Sequence, residues 1–376
     1  MELIDLKKYS DGKTDASAAI QALLDRRGRV EICEGEFLIA KPLIIHDDTH
    51  LVLTPATTLR VADGANCSLL DNDGLYSRTF NKNIIIEGGV WDGNNVAQKR
   101  EYIADENQPC DYDKYVSNAF LVLVMRMVHV QNLTVRNLTF KNPTTFAVHI
   151  VDAKYFTVEN IDLDFDLTLP NMDGIHIQGP ARFGKIRNIR GNANDDHVAL
   201  CTNGTIRSEV TKGAIEDIDI DGIYCDNGYT GVRLLSCGEP LRNVNIRNIH
   251  GNFRYYAVSF THHYPVREDR PILLENIHVS DLYVSKTSEG IIPKGHDVAI
   301  DSHALIWFES FVNCKNVLIE NVYRKEKNST THAPLLRLNR DANLENVVVR
   351  NVVSEGVSDP PLFENQGEAV IDWQGL

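Results

Sequence analysis

The chain has 376 residues, of which 43% are hydrophobic and 24% are charged, a composition that excludes a disordered protein. No segment reaches the ~18 continuous apolar residues that a membrane span needs. The formal net charge of −14 argues against non-specific binding to nucleic acid or to anionic lipid, because both favour basic surfaces. We therefore expect neither a nucleic-acid partner nor a membrane partner.

The N-terminal residues suggest where the protein works. Residues 1–20 are acidic from the start and contain no apolar run of signal-peptide length. The seven cysteines lack CxxC spacing, and an odd number suits reduced, mostly buried thiols. These features predict a cytoplasmic protein, or a secreted one if a signal has been removed.

The first regular element expected in chain order is a helix from Asp15 to Arg26. Thr14 or Asp15 can cap it. The apolar stripe at helical spacing is expected to consist of Ala18, Ala19, Ala22 and Leu23. Such a helix would cover the open strand edges at the end of a stack of coils. We assign residues 1–45 to this cap and the first coil.

The segment from Asn94 to Ser117 is polar, lacks hydrophobic periodicity and interrupts the strand-like runs. It is predicted to be a long lateral loop (94–117). Long loops without secondary structure of their own are usually functional.

Short alternating apolar runs recur after this loop, for example NLTVRNLTF from Asn132, FTVENIDLD from Phe156 and NVVVRNVVS from Asn346. Alternation at period two indicates half-buried strands. The Asn or Gly that follows each run falls at unequal intervals, at 137, 160, 188, 222, 248, 276, 321 and 351. Strands of constant length joined by loops of variable length are typical of a β-solenoid.

Asparagine has a particular use in such a solenoid. It tolerates the left-handed backbone of a sharp bend between strands, and its amide can hydrogen-bond to the coils above and below. Stacked residues such as Asn137, Asn160 and Asn188 are therefore predicted to form a ladder.

Four stretches carry a resemblance to a known family. YSDGKTDASAAIQALLD near the N terminus resembles the opening of the pectate-lyase-like β-helix superfamily, and GGVWDGN from Gly88 resembles a signature of family 28 glycoside hydrolases. NMDGI from Asn171 is similar to that family's NTDGI, and NDDHVAL from Asn194 is similar to its GDDCVAI. The chain thus resembles the polygalacturonase-like hydrolases. The resemblance implies an all-β fold, a single right-handed parallel β-helix over residues 1–376 with an N-terminal capping helix.

The chain also departs from the family pattern. No GHG motif follows Asp196 by about one coil, and the only histidine nearby is His197. The family's RIK is matched only by GVRLL from Gly231, which keeps Arg233 and replaces the lysine by Leu235. We expect catalysis to be retained and substrate recognition to be altered, which weakens the case for polygalacturonate.

The chemistry is expected to reside in three aspartates. Asp173 precedes the Asp195-Asp196 pair by one coil, so it should lie on the neighbouring rung, ~4.8 Å away. The pair can share a site only if the backbone bends at Asn194, because consecutive strand residues face opposite ways. Three crowded carboxylates should raise at least one pKa, and glycoside hydrolysis needs one acid and one carboxylate that activates water.

The family resemblance implies specific roles for these carboxylates. Asp195 would be the general acid, whereas Asp173 and Asp196 would position and deprotonate the water, with inversion of the anomeric centre. The residues expected to contact the substrate are Asn171, His197, Arg233, His262 and His263. Arg233 can bind hydroxyls or a carboxylate in a bidentate manner.

Some of these assignments have alternatives. For His197 two roles are equally open: a structural role in a turn or in the core, and contact with the substrate. The His262-His263 pair and the stretch around His296 offer no third ligand at typical spacing, so no metal and no cofactor is expected. Trp91, Trp307 and Tyr229 could stack on sugar rings, although single aromatic residues in strands more often belong to the core.

The predicted activity is exo-acting hydrolysis of an oligosaccharide, and a uronate-containing fragment from pectin degradation is one candidate substrate. The loop could close one end of a groove, and a cytoplasmic enzyme would meet imported oligosaccharides. Two other functions remain open: a lyase or epimerase on the same fold, and a non-catalytic glycan-binding β-helix. The sugar, the linkage and the oligomeric state are not determined by the sequence.

Overall fold

The structure is a computed structural model that describes residues 5–99, 112–117, 123–203, 212–262, 272–287 and 303–374. Its helices are α1 (Ser17–Leu24), α2 (Asp73–Ser77) and α3 (Tyr112–Ser117), with short 3-10 helices at Leu6–Tyr9 and Asn95–Ala97. Its strands are β1 (Asp11–Asp15), β2 (Gly28–Ile32), β3 (Gly35–Ile39), β4 (Leu43–Ile45), β5 (Thr49–Leu53), β6 (Thr57–Val61), β7 (Leu70–Asn72), β8 (Asn81–Glu87), β9 (Val90–Asp92), β10 (Met125–Lys141), β11 (Val148–Asp164), β12 (Ile175–Gly191), β13 (Asp196–Cys201), β14 (Ile215–Gly228), β15 (Thr230–Leu235), β16 (Pro240–Phe253), β17 (Val258–Thr261), β18 (Leu273–Lys286), β19 (Ile306–Phe308), β20 (Asn313–Glu326), β21 (Leu336–Leu338), β22 (Asn343–Gly356), β23 (Phe363–Asn365) and β24 (Asp372–Gln374).

The strands pair in parallel with the strand one coil later, which is the arrangement of a β-helix. The first sheet contains β4, β7, the first parts of β10 to β12, then β13, β15, β17, β19, β21 and β23. The second sheet contains β2, β5, β8 and the middle of the long strands, and the third contains β1, β3, β6, β9 and their ends. The predicted fold class, an all-β right-handed parallel β-helix with an N-terminal capping helix, is confirmed.

One hydrophobic core runs along the solenoid, from Leu6 to Val352. Side chains in register stack on each other from coil to coil. One such stack consists of Val135, Val158, Ile186, Ile220 and Ile246, all of which are buried. Each buried aliphatic side chain of this size contributes about 1.5–3 kcal/mol relative to an exposed one. A continuous core is the arrangement expected of the single domain proposed for residues 1–376.

Helix α1 covers the N-terminal end of the core but differs in detail from the prediction. It is shorter than the predicted span of 15–26, and the Asp15 carboxylate accepts the Ser17 backbone N–H at 2.9 Å. The predicted stripe was wrong at Ala18 and Ala22, which are exposed, whereas Ala19 and Leu23 are partly buried against the core. The buried residues of this segment are Ala16, Ser17, Ile20 and Leu24. The larger Ile and Leu side chains bury more apolar area than alanines do, so they decide which face of the helix packs.

The predicted asparagine ladder is confirmed at its first positions. The Asn160 Nδ2 donates to Asn137 Oδ1 at 2.9 Å, and the Asn188 Nδ2 donates to Asn160 Oδ1 at 2.7 Å. All three residues have a left-handed backbone, with φ between 53° and 56°.

The assignment of Asn276 to this ladder was wrong. Its amide donates to Asn243, in a second ladder at an earlier bend of each coil. The residue in the first ladder is Asp281, whose Oδ1 accepts from Asn321 Nδ2 at 3.0 Å. The error arose because each coil has two left-handed bends of similar sequence, five residues apart in this coil.

The predicted lateral loop is only partly described, since residues 100–111 lie outside the described ranges. Its described end is not irregular, because it forms α3, which packs on the first sheet through Tyr115. The Tyr115 hydroxyl lies 3.2 Å from His149 Nδ1.

Six of the cysteines lie in the described part of the chain, and all six are free thiols. No helix in that part is long and apolar enough to cross a membrane.

Candidate active site

The three aspartates lie side by side where two neighbouring strands of the first sheet begin. Asp173 precedes β12 and Asp196 opens β13, and these strands pair with Ile175 opposite Val198. The Gly174 N–H donates to the Asp196 carbonyl at 2.8 Å, which joins the two strand starts. The spacing of one coil in the sequence therefore becomes a spacing of one rung in space.

A backbone bend at Asn194 and Asp195 lets both members of the pair serve one site. Asn194 is buried, and its amide Nδ2 donates to the carbonyls of Leu167 and Leu169 at 3.1 and 2.7 Å. Its Oδ1 accepts from Arg254 Nη1 at 2.8 Å. The bend is thus held by side-chain hydrogen bonds of Asn194 and not by a left-handed backbone at this residue.

Carboxylate oxygens of Asp173, Asp195 and Asp196 lie within 4.8 Å of one another. Arg233 on β15 bridges the pair, with its Nε 2.8 Å from an oxygen of Asp196 and its Nη2 3.3 Å from Asp195 Oδ1. The Asn171 amide donates to Asp195 Oδ2 at 3.1 Å. The structure therefore brings together five of the predicted site residues.

These carboxylates differ in exposure and in electrostatics. The side chain of Asp196 is 5% exposed, whereas that of Asp195 is 15% exposed. Burial raises the pKa of Asp196 well above its ordinary value, and the charges of Asp195 and Asp173 add to this effect while Arg233 opposes it. Since one arginine faces three carboxyls, the cluster can retain a proton where isolated aspartates would have lost theirs.

His176 belongs to the site although the sequence reasoning did not select it. Its Nδ1 lies 2.7 Å from Asp173 Oδ2, and its ring stacks on Phe146 at 4.0 Å between centroids. Burial lowers the pKa of His176 to about 3, so the ring is neutral. Among the described residues its Nε2 has no hydrogen-bond partner. The recurrence of histidine at the same strand position, in AVHI and GIHI, was a usable signal.

His197 lies in the wall of the turn and is fully buried. Its Nδ1 is 2.8 Å from the Thr230 carbonyl, and its Nε2 is 3.0 Å from the Gly191 carbonyl. Both ring nitrogens thus contact backbone atoms. Of the two roles considered for His197, these contacts support the turn role, and the prediction of substrate contact is corrected accordingly.

His262 follows β17, two coils beyond the aspartates. It is buried, its Nε2 lies 2.9 Å from the Ser310 carbonyl, and its backbone N–H donates to Glu309 at 2.8 Å. The structure does not bring His262 next to the three aspartates. His263 and the histidine at 296 lie outside the described residues.

Aromatic side chains line the coils that follow the aspartates. Tyr229 stacks on Tyr255 at 4.2 Å between ring centroids, and Tyr255 stacks on His303 at 4.0 Å. Trp307, which is half-buried, stacks on Tyr256 at 4.7 Å. Trp91, by contrast, is fully buried in the core.

The three carboxylates also satisfy the spacing of a cation site. The sequence led us to expect no metal. In the structure the guanidinium of Arg233 supplies the positive charge that faces Asp195 and Asp196.

Comparison with known proteins supports the resemblance noted in the sequence. The model of glycosyl hydrolases family 28 matches residues 77–213, a segment that contains all three aspartates. No curated protein matches the chain. The match over residues 77–213 confirms the resemblance to polygalacturonase-like hydrolases of the right-handed β-helix type that the sequence indicated.

Solved structures with the same fold have different functions. A polygalacturonase from Erwinia carotovora ssp. carotovora is 15% identical with a TM-score of 0.61, covering 96% of this chain and 94% of that one. The mannuronan C-5 epimerase AlgE6 A-module from Azotobacter vinelandii is 13% identical with a TM-score of 0.58, covering 99% of both. The surface adhesin PfbA of Streptococcus pneumoniae is 14% identical with a TM-score of 0.58, covering 99% and 91%. At these identities the likeness shows the fold alone.

Proposed function

We propose that this protein is a glycoside hydrolase that uses Asp195, Asp196 and Asp173 for acid–base catalysis. The observation that carries the proposal is the convergence of three carboxylates on one arginine, with a pKa of Asp196 raised well above its ordinary value. Such a cluster holds both a proton for a leaving group and a carboxylate for water, which are the two requirements of glycoside hydrolysis.

Asp195 is proposed as the general acid because it is the more exposed member of the pair and a glycosidic oxygen can reach it. Asp196 and Asp173 are proposed to orient the water and accept its proton. The three carboxyls lie close enough to share one proton, which must sit on Asp195 while Asp196 and Asp173 are ionised when the leaving group departs. Arg233 stays charged, so it holds Asp195 and Asp196 in place and does not carry the proton between them.

Inversion of the anomeric centre is proposed from the family resemblance. The separation of at most 4.8 Å is shorter than the roughly 6.5–9.5 Å usual between the carboxyls of inverting glycosidases. The attacking water must therefore lie beside the carboxylates and not between the acid and the base. Proton NMR of the first product formed tests this directly, because an inverting enzyme releases the opposite anomer.

The substrate is proposed to be an oligosaccharide cut from one end. Leu235, at the position of the family's lysine, is buried beside Cys201 and Cys237 and offers no charge to a uronate. Helix α3 packs on the first sheet one coil before Asp173 through Tyr115, so it would close one end of a substrate groove at the aspartates. A cytoplasmic location would favour the same small substrates. Time-resolved product analysis on a long substrate tests exo-action, since an early ladder of mixed oligomers would contradict it.

A lyase or epimerase is the second candidate, and one observation favours it. His176, whose Nδ1 is hydrogen-bonded to Asp173, lies near Arg233, so a proton acceptor and a cationic group are both present. Burial lowers the pKa of His176 to about 3 and makes it a weak base, which is why this candidate ranks second. Such enzymes abstract the proton beside a carboxylate.

One panel of polysaccharides and oligosaccharides separates the candidates. A hydrolase releases new reducing ends without ultraviolet absorbance, a lyase produces an absorbing unsaturated end, and an epimerase incorporates solvent deuterium without cleavage. A protein that only binds glycans would do none of these, which would refute the proposed activity.

A further inference from the structure

The earlier of the two bends in each coil forms a row along the second sheet, away from the aspartates. Every residue of this row has a left-handed backbone, with φ between 53° and 61°: Asn83, Asn132, Tyr155, Phe183, Asp217, Asn243, Asn276, Asn316 and Asn346. Amide hydrogen bonds join neighbouring coils on both sides of the aromatic pair, for example Asn132 to Asn83 at 2.9 Å and Asn243 to Asp217 at 2.9 Å. Among these nine residues, only Tyr155 and Phe183 interrupt the polar ladder.

Two bulky aromatic residues are costly at these positions. A left-handed backbone is an outlier for a residue with a large side chain. An aromatic ring also cannot form the side-chain hydrogen bond that the amide of an asparagine would make at this position. The two rings are nevertheless exposed, at 53% for Tyr155 and 38% for Phe183, and they stack 5.0 Å apart at an angle of 11°. Backbone strain and exposed apolar surface do not stabilise the fold, so their combination indicates that the two rings have a functional role.

The aromatic pair borders an open groove of about 700 Å³, which extends over five coils from Tyr155 to Asn276. This volume lies in the range of sites for small ligands, roughly 300–1,000 Å³. Polar side chains in register form a strip beside the rings. The strip consists of Thr157, Lys185, Asp219 and Asn245.

The charges in this groove balance. Arg182 donates from Nε to Asp217 Oδ2 at 2.7 Å and lies over the Phe183 ring at 4.5 Å. Lys185 and Asp219 are register partners on neighbouring strands. The lining itself carries one cation, Lys185, and two carboxylates, Asp217 and Asp219, and Arg182 beside the groove pairs with Asp217. Neither a polyanion nor a polycation therefore finds a complementary potential. Rings next to hydroxyl, amide, ammonium and carboxylate groups suit a neutral ligand that has apolar C–H faces and many hydroxyls.

We propose that this groove binds a neutral oligosaccharide chain lying along the solenoid axis. Tyr155 and Phe183 would pack against the sugar rings, while Asp219, Asn245 and Lys185 would hydrogen-bond to the hydroxyls. The groove is on the second sheet and the three aspartates are on the first, so this is a non-catalytic site. It does not depend on the proposed hydrolase activity.

The ladder itself suggests the variant that tests the site. The double variant Tyr155→Asn/Phe183→Asn replaces both rings by the residue that the row carries elsewhere, so its melting temperature should equal or exceed that of the wild type. Affinity electrophoresis of the full chain through gels containing soluble neutral polysaccharides (a glucan, a galactan, an arabinan, a xylan) measures binding. Wild type should be retarded by at least one of them, and the double variant should bind it at least tenfold more weakly.

Three further variants serve as controls for this test. Tyr283→Asn removes a ring of similar exposure, 46%, from an aromatic stack on the third sheet, and should retain binding. Thr157→Arg places a long side chain across the groove without altering a bend, and should lose binding even if the double variant folds poorly. Asp195→Asn should bind as wild type does, which separates this site from the aspartates.

Several results would overturn the proposal. These are no retardation by any neutral polysaccharide, unchanged retardation of the double variant or of Thr157→Arg, and equal loss of binding in Tyr283→Asn. Ring-dependent binding to polygalacturonate alone would also overturn it, since it would assign an anionic ligand. A protein without hydrolase activity that still binds through the two rings would refute the proposed activity and leave this site standing.

Discussion

Two arginines in one row of the first sheet have opposite surroundings. Arg126 and Arg233 occupy equivalent strand positions four coils apart, and their side chains point away from the solenoid core. The register between them runs through His149, His176 and Ala199. Arg126 is buried against a single carboxylate, with Nε 2.8 Å from Asp71 Oδ1 and Nη2 2.7 Å from Asp71 Oδ2. Arg233 instead faces Asp195 and Asp196, with Asp173 beside them.

The difference lies in the balance of charges. Ser68 and Tyr76 hydroxyls donate to Asp71 at 2.8 and 2.7 Å, so one carboxylate, one guanidinium and their neighbours satisfy each other. Around Arg233, three carboxyls compete for one cation. A buried ion pair alone therefore indicates a structural role, whereas a surplus of carboxyls over cations indicates a functional site.

The largest expected effect is on turnover in Asp195→Asn. Loss of a general acid should lower kcat by about 10²–10⁴-fold, because the amide cannot donate the proton. The fold should persist, since the side chain is partly exposed. Aryl glycosides with good leaving groups should lose much less activity, because they need little protonation. Equal losses on good and poor leaving groups would assign the acid role elsewhere.

The counterpart is Asp71→Asn, which should destabilise the protein with little effect on the chemistry. Removing one partner of a buried pair costs roughly 3–5 kcal/mol, because the Arg126 charge is left uncompensated. Denaturant unfolding measures this loss, and kcat per folded molecule should stay near that of the wild type. A large loss of kcat without a loss of stability would place Asp71 in the site.

A smaller effect is expected for Arg254→Lys. Arg254 is buried and holds Asn194 and the Ala193 carbonyl, at 2.8 and 3.2 Å, so it positions the bend that carries the aspartates. Lysine keeps the charge but cannot make both bonds, and kcat should fall ~10–100-fold with KM nearly unchanged. Arg324→Lys, in another buried pair, is the matched control and should leave kcat unchanged.

The smallest expected effect concerns pH and Asp196→Asn. The folded pKa of Asp196 is raised, so the protonated carboxyl contributes stability that is present below the ordinary value of 3.8 and is lost as pH rises through the folded pKa. The variant does not titrate there. Its melting temperature relative to wild type should therefore rise as the pH is raised above about 4. A constant difference across this range would mean that Asp196 is ionised throughout.

Much of the fold follows from local sequence. Alternating apolar runs predict the strands, and left-handed bends favour asparagine, which is why the ladder at Asn137, Asn160 and Asn188 was predicted correctly. The proximity of Asp173 to Asp195 and Asp196 was also predictable, because a spacing of one coil along the chain becomes one rung in space. These features depend on periodicity and on backbone preference, which a few neighbouring residues determine.

Only the tertiary structure decided how side chains at the bends are used. The role of Arg254 depends on a contact across 60 residues, and the turn position of His197 depends on the Thr230 carbonyl in the next coil. Asn276 was assigned to the wrong ladder because each coil has two bends of similar sequence. The direction of each side chain at a bend depends on hydrogen bonds between coils. No local pattern in a single sequence encodes the register of those hydrogen bonds.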